Sequence, residues 1–253
     1  QLLPTLNDGS MKKRVKEGIQ VCVDKIEKSM GDSGKVGNSG WAGVLQSSFA
    51  NSGLEMAAKN EGIKVDKDKI QKAREYQKSN YNPDSQSAKT EDGAGIILYA
   101  VSSSVRNSAE EAKEANQLFK KAKAEGKIER DAVLNEQNLE RLGYSKEKAK
   151  SYDVANKVYN SAKVTAMKED VLSGFGNNGG EEFLSFLQTG ESMVVNHDDD
   201  WKKWYDNIGG RMMQIQNADG SWNGHHCITS PSFCTATCLM ILSIENDIKN
   251  LQK

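Results

Sequence analysis

Several residue types are scarce in this chain. Proline occurs three times among 253 residues, and aromatic residues make up 7% of them. No apolar run approaches the roughly 18 residues that a membrane-spanning helix needs, which argues against a transmembrane segment in this chain. The 34 basic and 35 acidic residues leave a formal net charge of −1. The sequence therefore has neither the basic patch of a nucleic-acid-binding protein nor a polybasic face for membranes.

Two kinds of helix alternate along the sequence, and the few prolines favour one helical domain. Segments rich in Lys and Glu place apolar residues at three- and four-residue spacing, which predicts amphipathic outer helices. These segments are 10–30, 66–78, 108–124, 145–169 and 201–215. Helices of small and apolar residues follow glycine-rich or turn segments and are predicted to begin near Trp41, Gly93, Gly180 and Ser230.

This alternation predicts an all-α fold of the α/α-toroid type, which is a closed ring of helical hairpins with inner and outer helices. We expect one toroid domain over residues 10–250, preceded by an N-terminal tail at 1–9. The last inner helix, over 234–244, is apolar or small on every side. Such a helix is predicted to be surrounded by protein.

Parallel inner helices would bring their N-termini together at one mouth of the ring. Free backbone N–H groups and positive helix-dipole ends gather at such a mouth, which then suits an anionic or carbonyl-bearing ligand, a peptide terminus or a metal. The alternative is structural: the glutamates complement the helix dipole and the glycines only allow close helix packing. The candidate ligand-binding residues are Asp92, Glu181, Glu182, Trp222, His225 and His226.

The four cysteines leave three interpretations open: buried structural thiols, disulfides or metal ligands. Cys22 is predicted on the buried face of the first helix, where a bridge to Cys238 would lock a closed ring. A short-loop bridge between Cys227 and Cys234 is also sterically feasible. The metal interpretation combines nitrogen and thiolate ligands that suit zinc or copper. Its candidate ligands are His225, His226, Cys227 and Cys234, with a contribution from Glu181 or Glu182; no other cofactor is predicted.

A resemblance to a known family rests on the run Gln-Asn-Ala-Asp-Gly-Ser-Trp at 216–222. This run resembles the Q-x-x-D-G-x-W repeat of the prenyltransferase and squalene-cyclase superfamily, which implies an α/α barrel. The stretches 175–185 and 224–229 resemble an uncharacterised bacterial branch of that superfamily. Members of that branch often carry signal peptides, and this chain begins at Gln1 rather than Met. We therefore expect a periplasmic or extracellular protein whose signal peptide has been removed.

The catalytic residues of the superfamily are not matched. Phe233 stands where oxidosqualene cyclases have the protonating Asp of Asp-Cys-Thr-Ala, and His197 stands first in the run closest to the D-x-D-D of hopene cyclases. Ser232 replaces the zinc-binding Asp that precedes the cysteine of protein prenyltransferases. These departures favour a non-catalytic binding or assembly module in a cell-envelope complex, with a protein or peptide partner.

Two enzyme hypotheses remain beside the binding module. One is a metal- or cysteine-dependent enzyme that uses the segment from His225 to Cys234. The other is a terpene-cyclase- or prenyltransferase-like enzyme. The unmatched catalytic residues and the scarcity of aromatic residues, whose faces stabilise carbocations, disfavour that second hypothesis.

Overall fold

A computed structural model describes residues 3–37 and 42–252. Within these residues the chain forms eleven α-helices, two 3₁₀ turns at Leu3–Thr5 and Glu91–Gly93, and one antiparallel hairpin, so the predicted all-α class is confirmed. The hairpin strands are β1 (Tyr81–Asn82) and β2 (Ser87–Ala88). The helices are α1 (Gly9–Ser29), α2 (Gly43–Ala58), α3 (Lys67–Lys78), α4 (Ile97–Ala124), α5 (Glu136–Arg141), α6 (Lys146–Ala166), α7 (Glu169–Leu172), α8 (Gly180–Val195), α9 (Trp201–Gln214), α10 (Pro231–Leu242) and α11 (Ile244–Leu251).

Several helices begin at capping side chains. Asp8 accepts the backbone N–H of Met11 over 2.7 Å at the start of α1. The predicted start of α10 is observed, because Ser230 accepts the N–H of Phe233 and Pro231 is the first helical residue. The predicted starts of the inner helices near Gly180 and Ser230 are therefore confirmed to within one residue. Trp41 lies outside the described residues, and α2 is observed from Gly43 onwards.

Helix α4 lies at the centre of the molecule. Every residue from Leu98 to Lys113 is buried, so this part of the helix is covered on all sides. It packs against α2, α3, α6 and α8. We predicted an inner helix near Gly93 and a separate outer helix over 108–124, and this division is wrong. The two are one helix of 28 residues, because neither Gly nor Pro interrupts it.

The inner helices form a row in which α2, α4, α8 and α10 each pack against the next. The amphipathic helices α3, α6 and α9 connect them along the chain, so the predicted alternation is present. The main hydrophobic cluster joins α2, α4, α6 and α8 to α11. Two smaller clusters lie between α4, α5 and α6 and between α1, α2 and α3. No described helix is both long enough and apolar enough to cross a bilayer.

The two ends of the helix row do not show the contacts and the burial that a closed ring predicts. Among the described residues, α1 packs against α2 and the Leu3–Thr5 turn, and none of the main helix contacts joins it to α10 or α11. Helix α10 is not surrounded by protein as predicted, since Phe233, Leu239 and Met240 are exposed. Ring closure therefore stays a prediction. In the predicted tail, Leu3 is buried and its turn contacts α1.

Candidate functional site

The first turns of α4, α8 and α10 meet at one end of the molecule. The hydroxyl of Tyr99, near the start of α4, donates to a carboxylate oxygen of Glu182 in the first turn of α8 over 2.6 Å. The N–H of Gly180 donates to the carbonyl of Ile228, just before α10, over 3.0 Å. The N-terminal ends of these three helices are thus close together among the described residues, and we call this region the mouth.

Glu182 connects three segments at this mouth. Its side chain is 1% exposed. One carboxylate oxygen, Oε1, accepts the Tyr99 hydroxyl and the N–H of Phe175, the latter over 3.2 Å. The other, Oε2, accepts the N–H of Gly179 over 2.9 Å and lies 3.1 Å from Nε2 of His226. Glu182 therefore caps its own helix and also ties α4 and two loops to that cap.

Glu181 is buried beside Glu182 and is 4% exposed. It accepts the N–H of Ile228 over 3.2 Å. Burial raises the pKa of Glu181 above its ordinary value, hydrogen bonds from backbone N–H groups oppose this shift, and the neighbouring charge of Glu182 adds to it. The two carboxyl groups therefore share one buried environment although they are consecutive on the helix.

His226 completes the group from the loop before α10. Its Nε2 atom lies 3.1 Å from Oε2 of Glu182 and 3.1 Å from the carbonyl oxygen of Asn177. Its ring packs on Phe175 with 4.8 Å between the ring centroids. Its Nδ1 atom is buried and has no hydrogen-bond partner among the described residues.

The side chains of Glu181, Glu182 and His226 lie close enough together to be candidate ligands of one metal ion. One nitrogen of His226 and one oxygen each of Glu181 and Glu182 lie within 4.8 Å of one another. Among the described residues, no other three His, Cys, Asp or Glu side chains lie together in this way. Of the four predicted principal ligands, only His226 belongs to this group.

The other predicted metal ligands do not belong to this group. His225 is exposed, and its backbone N–H donates to the carbonyl of Asn178 over 2.8 Å. Cys227 is exposed, whereas Cys234 is buried with its thiol 3.5 Å from the carbonyl of Ile228. The spacing along the sequence did not reveal which of these residues join the group and which do not. The reason is that the loop turns at Cys227, whose φ is +49°.

Two residues that were predicted at the mouth, Asp92 and Trp222, form hydrogen bonds within the chain instead. Asp92 pairs with Lys35 over 2.5 Å and accepts the hydroxyl of Tyr76 over 2.7 Å. These hydrogen bonds lower the pKa of Asp92. Trp222 is 2% exposed, and its indole N–H donates to the carbonyl of Met212 over 2.8 Å. Trp222 thus packs in the core behind the mouth.

All four cysteines are free thiols in the structure, which favours the structural-thiol interpretation over the candidate disulfides. Cys22 is exposed, so its predicted place on the buried face of α1 is wrong. Cys238 is fully buried on α10, which is not a main neighbour of α1 among the described residues. Burial raises the pKa of the Cys238 thiol to about 12.

A cleft of about 350 Å³ opens beside the carboxylates, between α2, α8 and the start of α10. Glu181 is its one charged lining residue, and most of the other lining residues are apolar. The lining comprises Ala42, Leu45, Gln46, Phe49, Glu181, Leu184, Ile228 and Phe233. The cleft adds a binding surface that sequence analysis did not predict, because its walls come from three distant segments.

Sequence analysis also missed Tyr99 and Asn177. Tyr99 occupies the first turn of an inner helix, the position that singled out Glu181 and Glu182, so the same signal was available for it. Asn177 acts through its backbone carbonyl, which no side-chain pattern reveals.

Comparison with known proteins does not extend the resemblance found in the sequence. Family models, curated proteins and solved structures were searched, and none matches this chain. The likeness to the prenyltransferase and squalene-cyclase superfamily therefore stays a prediction that rests mainly on residues 216–222.

Proposed function

We propose that this protein is a non-catalytic binding module that holds a peptide segment of a protein partner in the mouth cleft. The observation that carries the proposal is the cleft itself, an apolar groove with one buried carboxylate at its edge. Apolar pockets with a few placed polar groups are typical ligand sites. The helix row and the superfamily resemblance favour an α/α toroid that acts in a cell-envelope complex outside the cytoplasm.

The chemistry of the cleft specifies the peptide. Leu45, Phe49 and Leu184 offer apolar contact, whereas Glu181 offers a carboxylate oxygen. A peptide segment with an apolar side chain next to a Lys, an Arg or a free N-terminal amine would fit both the apolar lining and the carboxylate. A nucleic acid would not fit, because the carboxylate would repel its phosphates.

Selection from a random peptide library against the purified chain tests the proposal. We expect enrichment of peptides with an apolar residue beside a basic group. Phe233→Ser should weaken binding of a selected peptide on the order of tenfold, because it removes one apolar wall of the cleft. Leu239→Ser, an exposed position on the same helix outside the cleft, is the matched control and should bind as the wild type does.

Glu181→Gln probes the charge preference. Selection against this variant should no longer enrich basic residues, while the apolar preference remains. A library that yields no enriched sequence, or peptides that bind Phe233→Ser and wild type equally, would show that the cleft is not the binding site.

A metal-dependent enzyme is the second candidate, because Glu181, Glu182 and His226 meet beside the cleft. Zinc-dependent hydrolysis of a selected peptide would favour this candidate over the binding module.

A further inference from the structure

The mouth contains two buried carboxyl groups whose hydrogen bonds come from Tyr99 and from backbone N–H groups, none of which carries a charge. Glu181 and Glu182 are 4% and 1% exposed. Among the described residues, no Lys or Arg forms a salt bridge with either carboxylate, and His226, which is charged only when protonated, is the one basic side chain in contact with Glu182. Buried carboxylates need pairing with a cation, since desolvation of an unpaired charge is costly. The N-terminus of α8 supplies only part of that compensation.

The three side chains are spaced as ligands of one small cation. Zinc binds nitrogen and carboxylate oxygen at about 2.0–2.2 Å, so neighbouring ligands of a tetrahedral site lie about 3.4 Å apart. Nε2 of His226 and Oε2 of Glu182 are 3.1 Å apart, and an oxygen of Glu181 completes a group within 4.8 Å. Small side-chain adjustments bring the three atoms to coordination distance.

An independent observation at His226 also indicates a missing partner. The ring is largely buried, with a side chain 12% exposed, and Nδ1 has no partner among the described residues. Whether Nδ1 carries a proton or a lone pair, its burial without a partner is unfavourable. A metal ion on Nε2 would leave the ring proton on Nδ1, and that N–H group would then donate to a molecule bound at the mouth.

Glycines make the close approach of these groups feasible. A Cβ atom at Gly179 would lie 2.6 Å from Cε1 of His226 and 3.0 Å from Oε2 of Glu182. A Cβ atom at Gly174, where φ is +54°, would lie 2.7 Å from the carboxylate of Glu182. Residues larger than glycine at these positions would push the histidine and the glutamate apart.

We propose that Glu181, Glu182 and His226 bind one divalent metal ion of the zinc type, with an oxygen from each glutamate and a ring nitrogen of His226 as ligands. Three protein ligands leave a coordination position open. Because Glu181 also lines the cleft, a bound metal ion would take the carboxylate that a basic peptide group uses, so the basic preference belongs to the metal-free chain. The site goes beyond the proposed peptide binding and is tested without any peptide.

The test is a titration of the metal-free chain with Zn²⁺ alone, followed by calorimetry and by elemental analysis after dialysis. We expect one zinc per wild-type chain and a rise in Tm on binding. Glu181→Gln and His226→Gln should each bind at least about tenfold more weakly. His225→Gln, which changes the exposed neighbouring histidine, should bind as tightly as the wild type.

Circular dichroism of each variant shows whether the fold is retained. If His226→Gln does not fold, the zinc affinity of Glu181→Gln alone tests the assigned ligands. Absence of stoichiometric zinc in the wild type would overturn the proposal. Equal affinity in wild type and folded Glu181→Gln would overturn it too.

Cobalt in place of zinc distinguishes these ligands from the cysteines. Nitrogen and oxygen ligands give Co²⁺ weak visible bands, whereas a thiolate adds an intense charge-transfer band in the near ultraviolet. We expect no thiolate band and unchanged binding in Cys227→Ser. A thiolate band that is lost in Cys227→Ser or Cys234→Ser would overturn the assigned ligands.

Discussion

Tyr99 donates its phenolic hydrogen to Oε1 of Glu182 over 2.6 Å and thereby joins the first turn of α4 to the first turn of α8. Both residues are buried. Burial and the charge of Glu182 raise the pKa of Tyr99 well above its ordinary value, so the hydroxyl remains a donor at physiological pH. This bond holds the central helix of the fold at the candidate site.

Replacement of Tyr99 by Phe should destabilise the protein by about 1.5–3 kcal/mol, because a buried carboxylate loses a hydrogen-bond donor. The control is Tyr205→Phe, since the Tyr205 hydroxyl donates to the neutral carbonyl of Leu242 over 2.6 Å. That change should cost about 1 kcal/mol. Urea unfolding of both variants measures the difference, and equal losses would contradict the role assigned to Tyr99.

Gly190 allows α9 to pack closely on α8. A Cβ atom there would lie 2.3 Å from the ring of Trp204 and 2.8 Å from Ile244. Gly190→Ala should therefore destabilise the fold by about 1–3 kcal/mol through overpacking.

The matched control for Gly190→Ala is Gly210→Ala, a position within α9 that has open space around a new Cβ atom. This change should stabilise the protein by about 0.5–1 kcal/mol, since alanine favours helix and restricts the unfolded chain. The two free energies of unfolding should thus change in opposite directions. A stabilised Gly190→Ala variant would show that Trp204 does not pack on α8 as described.

Asp92 should make stability depend on pH in the acidic range. Hydrogen bonds from Lys35 and Tyr76 lower its pKa in the folded state below the ordinary value of 3.8. Its stabilising contribution is therefore present above that value and is lost as pH falls through the lower folded pKa. We expect Asp92→Asn to reduce stability at pH 6 more than at pH 3.

Urea unfolding over a pH series measures this contribution, and Lys35→Met provides the comparison. Because Lys35 is the largest cause of the lowered pKa, its loss should flatten most of the Asp92-dependent slope. An Asp92→Asn effect that is independent of pH would contradict the ion pair.

The four thiols should differ in reactivity with a disulfide reagent. Cys22 and Cys227 are exposed and should react quickly in the native protein. Cys234 and Cys238 are buried, and the raised pKa of Cys238 disfavours its reactive thiolate, so both should react only on unfolding. A titration in denaturant should count four free thiols. A count of two would restore the disulfide interpretation.

The local part of the fold was predictable from the sequence. Helix α8 begins at Gly180 and α10 at Pro231, close to their predicted starts, because turn and cap residues act within a few positions. The single helix α4 was missed, since its change from small to charged residues was interpreted as a boundary. A helix with no Gly or Pro can change its surroundings along its length without ending.

The candidate site was predictable only in part. Glu181, Glu182 and His226 were all named in advance, and the structure brings them together. Asp92 and Trp222 were assigned to the same mouth, but their partners, Lys35 and the Met212 carbonyl, depend on tertiary packing. The position of a residue along an inner helix predicts at which end of the fold it lies. The direction of its side chain depends on neighbours that are distant in sequence.

Helix α4 has a structural consequence for the mouth. Its 28 residues form a rod about 42 Å long, with Tyr99 near one end and Phe119 packed in a separate cluster towards the other. One continuous helix thus takes part in both hydrophobic clusters, so the packing around Phe119 and the position of Tyr99 belong to the same element.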